Sequence, residues 1–300
     1  MNYKKGISVI IPVYNAGKYI RTCITSIVLQ TFKDLEVIFV IDKKTSDNSE
    51  KIIKENVYQL NDYKIIKPTE SSGAGYNRNI AIEQAKREYI GFVDADDFIS
   101  KDFYEKLYSF AQNNNADVAI GGMIMLDENK KIIEAKNQNN VIASNISEMY
   151  SMMEYSTVWD KIYRTDIIKQ NNVIFSTGVM HEDNTFMLKA LLNTKKMVSV
   201  PNVFYYWNRN SNSITMIEDN QQQCIDDAFI VFNQVLDILS NANIPTDYKD
   251  KIVCHNMINY AGDALKIKKY YIVILNKLKL LLGKDRAYEI CYKLEHNQKI

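Results

Sequence analysis

The sequence has no excess of either charge: 37 Lys+Arg stand against 36 Asp+Glu, a net charge of +1. It therefore lacks the basic field that holds a polyanion by counterion release, and no nucleic-acid partner is expected. Cysteine is sparse. Cys23, Cys224, Cys254 and Cys291 lie far apart with no Cys-x-x-Cys unit, which argues against a zinc ribbon or a thiol redox motif and for four buried thiols in a reducing cytosol. With only 10 Gly and 4 Pro the chain is neither collagen-like nor low-complexity. No apolar run approaches the roughly 20 residues that span a bilayer. The run over 7–13 is too short for a signal peptide and has no small-residue cleavage site. No P-loop string occurs, and Gly73-Ala74-Gly75 is followed by Arg78 where a dinucleotide fingerprint needs its third glycine. The expected location is cytoplasmic, at most peripheral to the inner face of a membrane.

What the chain does have is core material and rhythm. Its 300 residues are 46% hydrophobic and 24% charged, enough for a sizeable core. Residues 7–13 read as a strand, 18–30 as a helix with Ile20, Ile24, Ile27 and Val28 at helical spacing, and 36–41 as a nearly all-apolar strand. A helix over 51–60, a strand over 63–67, a helix over 76–85, a strand over 89–93, a helix over 103–113 and a strand over 118–125 follow. This order predicts a parallel sheet covered by helices. Residues 127–145 are polar; 159–164 and 203–207 read as strands, with helices over 165–170 and 184–192. From Glu218 the pattern is helical nearly to the end, with Phe229, Phe232, Val235, Leu236 and Leu239 on one face. We expect an α/β catalytic domain over 1–215 and a helical extension over 216–300.

Ligands of open parallel sheets bind outside the carboxyl ends of the strands, and two of those ends carry acids. Asp42 closes the second strand, and Asp94-Ala95-Asp96-Asp97 closes the strand over 89–93. Carboxylates at i and i+2 in a turn can direct oxygens at one hard cation, Mg2+ or Mn2+, although such acids also form turns with no ligand at all. The turn over 71–79 delivers Arg78 at a helix start, where its guanidinium either grips a phosphate or faces solvent. His181-Glu182-Asp183 precedes another helix. A carboxylate there is a general base or only a favourable charge at a helix N-terminus.

Taken together, these strings resemble the family 2 glycosyltransferases of the GT-A fold. Ile7-Ser8-Val9-Ile10-Ile11-Pro12-Val13-Tyr14-Asn15, with Ser26-Ile27-Val28-Leu29-Gln30-Thr31-Phe32, is similar to the family's first βα unit. The stretch over 73–79 running on to Asp94-Ala95-Asp96-Asp97 is similar to its Gly-x-x-x-x-Arg-Asn segment leading into Asp-x-Asp. Val158-Trp159-Asp160-Lys161 and His181-Glu182-Asp183 resemble its acceptor-side motifs, and Tyr205-Tyr206-Trp207-Asn208-Arg209 with Ser213 a later basic segment. The resemblance covers about the first 215 residues. It departs at Asp42, which is followed by Lys43 and Lys44 where the family usually has a second acid and a glycine.

The resemblance implies a GT-A nucleotide-diphospho-sugar transferase fold, a Rossmann-like, mostly parallel sheet with a C-terminal helical extension. Pro12, Tyr14 and Asp42 would line the base and ribose, and Arg78 would approach the diphosphate or base. Asp94 would face the ribose and the cation's waters, Ala95 would belong to the nucleotide-sugar-binding set, and Asp96 would ligate Mn2+ or Mg2+ directly. Asp183 would be the general base, and Arg209 and Ser213 would hold the diphosphate leaving group. The implied enzyme is an inverting glycosyltransferase using a nucleotide-sugar donor, UDP-linked, and a saccharide or lipid-linked acceptor in cell-surface polysaccharide biosynthesis. Two alternatives stay open: a nucleotide-sugar-binding partner without turnover, suggested by Lys43, and a sugar nucleotidyltransferase, disfavoured because no Gly-rich triphosphate loop follows the first strand. In the extension, Lys266, Lys268, Lys269, Lys277 and Lys279 alternate with Ile272, Ile274, Leu275, Leu278 and Leu281. That pattern suits an ordinary surface helix or a peripheral contact with an anionic membrane. A homo-oligomer is left open.

Overall fold

Strand β1 (Lys4–Val13) is buried on both faces from Gly6 onward, as a strand sandwiched between helices must be. In the computed structural model, which describes residues 3–153, 157–209, 221–296 and 298, β1 lies inside a large sheet. On one side β2 (Leu35–Ile41) and then β3 (Tyr63–Ile66) are added, and on the other β4 (Arg87–Phe92), all parallel. The strand order thus reverses at β1. The crevice outside the carboxyl ends of β1, β2 and β4 is a topological switch point, the usual ligand site of such sheets.

The sheet continues through β5 (Phe98–Ile99), β6 (Val118–Leu126), β7 (Ile132–Lys136), β8 (Ile142–Ala143), β9 (Lys161–Arg164) and β10 (Met197–Asn208). Its order is β3-β2-β1-β4-β9-β6-β10-β5, with β7 on β6 and β8 on β10. β9 runs antiparallel to both β4 and β6, so the sheet expected to be parallel becomes mixed beyond β4. The covering helices are α1 (Ile20–Val28), α2 (Ser49–Asn56), α3 (Gly73–Gln84), α4 (Phe103–Asn113), α5 (Ile146–Met152) and α6 (Thr165–Gln170), and α7 (Asp183–Asn193) follows in the chain. α1 buries Ile20, Cys23, Ile24 and Ile27, the i, i+3, i+4, i+7 stripe that seats a helix on a sheet.

The chain divides into two compact units, Met1–Gly178 with Ala190–Ser211, and Val179–Lys189 with Asn212–Ile300. The boundary expected at 215/216 lies outside the described residues. The second unit contains α8 (Gln221–Asn241), α9 (Thr246–Asn256), α10 (Lys268–Leu282) and α11 (Lys284–Glu295). Phe232, Val235, Leu236 and Leu239 form the buried face of α8, while Phe229, expected on that face, is half-buried and stacks on Tyr270 with ring centroids 4.0 Å apart. All four thiols are free. Cys23 and Cys291 are buried, but Cys224 and Cys254 are only half-buried, which corrects the expectation of four buried thiols.

One buried charge sits at the edge of the sheet opposite the crevice. Glu36, at the start of β2, is 1% exposed and accepts from Ser8 Oγ (2.7 Å), Lys86 N–H (2.9 Å) and Lys64 Nζ (3.1 Å). Burial alone would raise its pKa; the hydrogen bonds from Ser8, Lys86 and Lys64 and the Lys64 charge outweigh it and hold the carboxyl below its ordinary 4.5. A depressed carboxylate adds stability above its unfolded pKa and loses it as pH falls through the folded one. Thermal melts of the wild type are therefore expected to decline below about pH 4.5. Glu36→Gln should cost about 2 kcal/mol near neutrality and flatten that decline, because its amide cannot titrate. Identical pH dependence in the two proteins would overturn this assignment.

Candidate active site

Asp42 emerges from β2 and is 4% exposed. Its Oδ1 accepts from Lys44 N–H (2.9 Å) and its Oδ2 from Asn77 Nδ2 (3.1 Å). Asn77 is itself buried, and among the described residues its Oδ1 has no hydrogen-bond partner, an orphaned acceptor beside the carboxylate. The next residue in α3, Arg78, donates from one terminal nitrogen to Asp94 Oδ1 at 2.8 Å and lies over the Phe175 ring at 5.3 Å. Arg78 is only 4% exposed, so it is neither a solvent-facing arginine nor part of a loose turn. The helix starts at Gly73, three residues earlier than expected, with φ of 81°, a value that favours glycine. Two successive residues of α3 thus tie the ends of β2 and β4 together across β1.

The turn after β4 is held from β10, a connection that no local pattern announced. Tyr205, fully buried, donates its hydroxyl to Asp97 Oδ2 (2.7 Å) and accepts from Asp94 N–H (3.0 Å). Asn208 donates its N–H to Asp97 Oδ1 (2.7 Å) and its amide to the Asp96 carbonyl (2.5 Å). Burial, reinforced by the nearby Asp96 and Asp94 charges, pushes the Asp97 carboxyl well above its ordinary range. Trp159 stacks on Tyr205 with centroids 4.2 Å apart. Its neighbours Val158, Asp160 and Lys161 are buried as well, and Lys161 Nζ donates to Asp160 Oδ1 (2.5 Å) and to the Thr157 carbonyl (2.8 Å). This motif braces the carboxylate turn from within the core.

Tyr205→Phe removes both hydroxyl contacts and little else. We expect a loss of about 1–3 kcal/mol in stability and a rise of about tenfold in half-saturating Mn2+, since groups that orient a cation's ligands tune its affinity. A purely structural role for Tyr205 would lower the melting temperature and leave the Mn2+ titration unmoved.

The remaining candidates fall in different places. Pro12 is buried in β1 opposite Val40, Tyr14 follows the strand at 49% exposure, and Ala95 is buried in the carboxylate turn. Lys43 and Lys44 are exposed. Farther along the same loop, the Asp47 carboxylate accepts from Gly17 N–H (2.7 Å) and from Ser49 Oγ and so closes the loop onto the end of β1. Arg209 is exposed, with its N–H on the Leu126 carbonyl at 2.9 Å. Ser213 lies outside the described residues.

Asp183 belongs to the second unit and opens α7. The loop before it turns at His181, whose φ of 64° lies in the left-handed region and whose carbonyl accepts from both Asn184 N–H and Asn184 Nδ2 at 3.1 Å. Burial pushes the His181 imidazole below its ordinary pKa, against the pull of the Glu182 and Asp227 charges. Asp227, buried in α8, anchors the loop by accepting from Met180 N–H (3.0 Å) and from Gln223 Nε2 (2.7 Å). It is a further residue that sequence reading missed.

Among the described residues no group of three or more His, Cys, Asp or Glu is placed to hold a metal alone. The donor chemistry that the carboxylate turn does offer is that of a hard cation with few protein ligands. Asp94 and Asp96 offer only oxygen, and Mg2+-like ions commonly take one or two carboxylates and complete their shell with substrate phosphate and water.

Comparison with known proteins gives a consistent picture. The family model described as Glycosyl transferase family 2 matches residues 8–181. Glycosyltransferase GlyG of Streptococcus pneumoniae is 26% identical over 88% of this chain and 96% of its own length. Glycosyltransferase GlyA of the same organism is 29% identical over 70% of this chain, but the chain spans only 32% of it. The poly(ribitol-phosphate) beta-N-acetylglucosaminyltransferase TarS of Staphylococcus aureus is 28% identical over 87% of this chain and 46% of its own length. A crystal structure of TarS residues 1–349 with UDP-GlcNAc shares the fold, with a TM-score of 0.77 at 22% identity over 98% of this chain and 92% of that one.

Proposed function

The chain belongs to glycosyl transferase family 2, and from that premise we propose that it is an inverting, metal-dependent transferase that moves a sugar from a UDP-linked donor to a hydroxyl of a saccharide or lipid-linked acceptor in cell-surface polymer synthesis. One observation carries the reading: Asp42, Asn77, Arg78 and Asp94 form linked, largely buried polar contacts at the carboxyl edge of β1, β2 and β4. A fold needs no such assembly for its stability, since buried polar groups are retained at a cost unless they serve recognition or chemistry. The relatives support the choice of donor and product: TarS is described with UDP-GlcNAc and as acting on poly(ribitol-phosphate).

In this reading Pro12, Tyr14 and Asp42 line the base and ribose, with the orphaned Asn77 oxygen behind them. Arg78 and Asp94 bound the ribose and diphosphate beside Ala95. Asp94 and Asp96 would hold a divalent cation, which when bound supplies neutralisation of the charge growing on the diphosphate. Asp183 takes the proton from the acceptor hydroxyl as its oxygen bonds to the anomeric carbon and the bond to the nucleoside diphosphate breaks. That single displacement inverts the anomeric centre. Arg209 and Ser213 hold the departing diphosphate.

The test is a panel of nucleotide sugars with Mn2+, followed by thermal shift and by product analysis. UDP-sugars should raise the melting temperature in proportion to ln(1+[L]/Kd), and the product should carry the inverted configuration. Stabilisation by no nucleotide sugar would sink the proposal. Binding of UDP with neither hydrolysis nor transfer would replace it with a partner that binds donor without turnover.

A further inference from the structure

α10 is built against its own stability. Its 15 residues carry four lysines and no acid, and two of those lysines, Lys268 and Lys269, occupy the first turn. Cations there face the positive pole of the helix dipole, where acids would be favourable. Neither lysine is buried; Lys269 Nζ lies over the Tyr270 ring at 4.5 Å, and the Tyr270 hydroxyl donates to Asp226 at 2.6 Å.

The apolar residues divide in the same way. Tyr270, Ile274, Leu275 and Leu278 are buried. Lys269, Ile272, Val273, Asn276 and Leu280 recur at i, i+3, i+4, i+7 and i+11 and form a second stripe that points outward. On it Ile272 is 49%, Val273 38% and Leu280 89% exposed. In α11, Tyr288 and Tyr292, one helical turn apart, are 43% and 54% exposed, and Lys279 Nζ lies over the Tyr288 ring at 4.4 Å. The acids nearby are largely engaged: Asp237 with Lys277 (2.5 Å), Asp263 with Lys266 (2.5 Å), and Glu289 with Arg286 (2.9 Å) and Lys293 (2.7 Å). Asp285 stands beside Lys284.

We infer that the outward face of α10, widened by Tyr288, is a docking surface for an anionic phospholipid bilayer. Leu280, Ile272 and Val273 enter the headgroup boundary, and Lys268, Lys269 and Lys284 meet lipid phosphates at either end. An outward apolar stripe, lysines flanking it and amphipathic tyrosines beside it are the composition of helices that lie in the interface. Among the described residues no helix is long and apolar enough to cross a membrane, so the contact is peripheral. This inference does not rest on the transfer reaction.

The experiment is sedimentation of the full chain with vesicles of phosphatidylcholine alone or with about 30% phosphatidylglycerol, at low salt and at about 0.5 M NaCl, where screening is strong. Partition onto the anionic vesicles should exceed that onto neutral ones by about tenfold or more and collapse at high salt. Lys268→Glu with Lys269→Glu should abolish the anionic preference. Ile272→Asp with Leu280→Asp should lower binding to every vesicle. All four positions are exposed, so circular dichroism should match the wild type and the melting temperature should not fall, rising slightly in the Lys268→Glu, Lys269→Glu variant because its acids suit the helix N-terminus. Equal partition onto both vesicle types, no partition, or binding unchanged in both variants would overturn the inference. Self-association abolished by Ile272→Asp with Leu280→Asp, without lipid binding, would overturn it too and assign the face to a second copy.

Discussion

Asp96→Ala is expected to lower kcat for donor turnover by about 10³-fold, equivalent to about 4 kcal/mol of transition-state stabilisation, and to remove the thermal shift that Mn2+ produces with UDP. The size follows from what the turn contains. Asp94, Asp96 and Asp97 crowd together tightly enough for two of them to disturb the titration of the third. Arg78 engages Asp94 through one oxygen, and Tyr205 and Asn208 engage Asp97 through both. Asn208 holds Asp96 by its backbone carbonyl, so alanine keeps that hydrogen bond. Removing one of three like charges also relieves repulsion. Activity should therefore fall by far more than thermal stability. That disproportion separates loss of a cation ligand from loss of fold. Wild-type turnover in Asp96→Ala, or a thermal shift with Mn2+ and UDP that persists in it, would refute the assignment.

Periodicity made the elements legible wherever packing has one repeat. The helices expected over 103–113 and 165–170 are α4 and α6, with those same bounds, and β1 and β2 differ from expectation by at most three residues. It failed where the backbone breaks its own pattern. β10 begins at Met197, not 203, because Pro201 and Asn202, with φ of 56°, sit at a shift in register between Ser199 and Phe204 that masks the alternation. β5 and β8 have two residues each and no period to read, and β7 lies in a segment whose polarity gave no alternation to read. The site divides likewise. Acids at strand ends could be picked out because β-strand runs point at them. The burial of Arg78 could not, because the carboxylate and the Phe175 ring that neutralise and cover it lie 16 and 97 residues away in sequence. Tyr205 and Asn208 brace a turn more than a hundred positions before them. Their alternation as strand residues was visible, but their partner was not.

Asp183→Asn is expected to cut transfer by about 10²- to 10⁴-fold in kcat, the range over which a positioned general base contributes, while UDP-sugar affinity changes by less than about threefold. Asparagine keeps the shape of the side chain and its place at the start of α7 and removes the negative charge, and with it the capacity to accept a proton. The charge itself favours the helix N-terminus by about 0.3–1 kcal/mol, so the melting temperature should drop only slightly. An aspartate present for capping alone predicts the reverse pattern, a stability loss with activity intact. The neighbouring acid supplies the control. Glu182→Gln removes a charge one residue earlier in the same loop, and its effect on kcat should stay within about tenfold if proton transfer belongs to Asp183. Comparable losses in both variants would mean that the loop's total charge is what matters. Asp227→Asn tests the support beneath them. Asp227 fixes Met180 N–H at 3.0 Å, so weakening it should loosen the loop, lowering kcat partially with donor binding unchanged. Full transfer by Asp183→Asn would leave the family's general base without a bearer at this position, whatever the effect of Asp96→Ala.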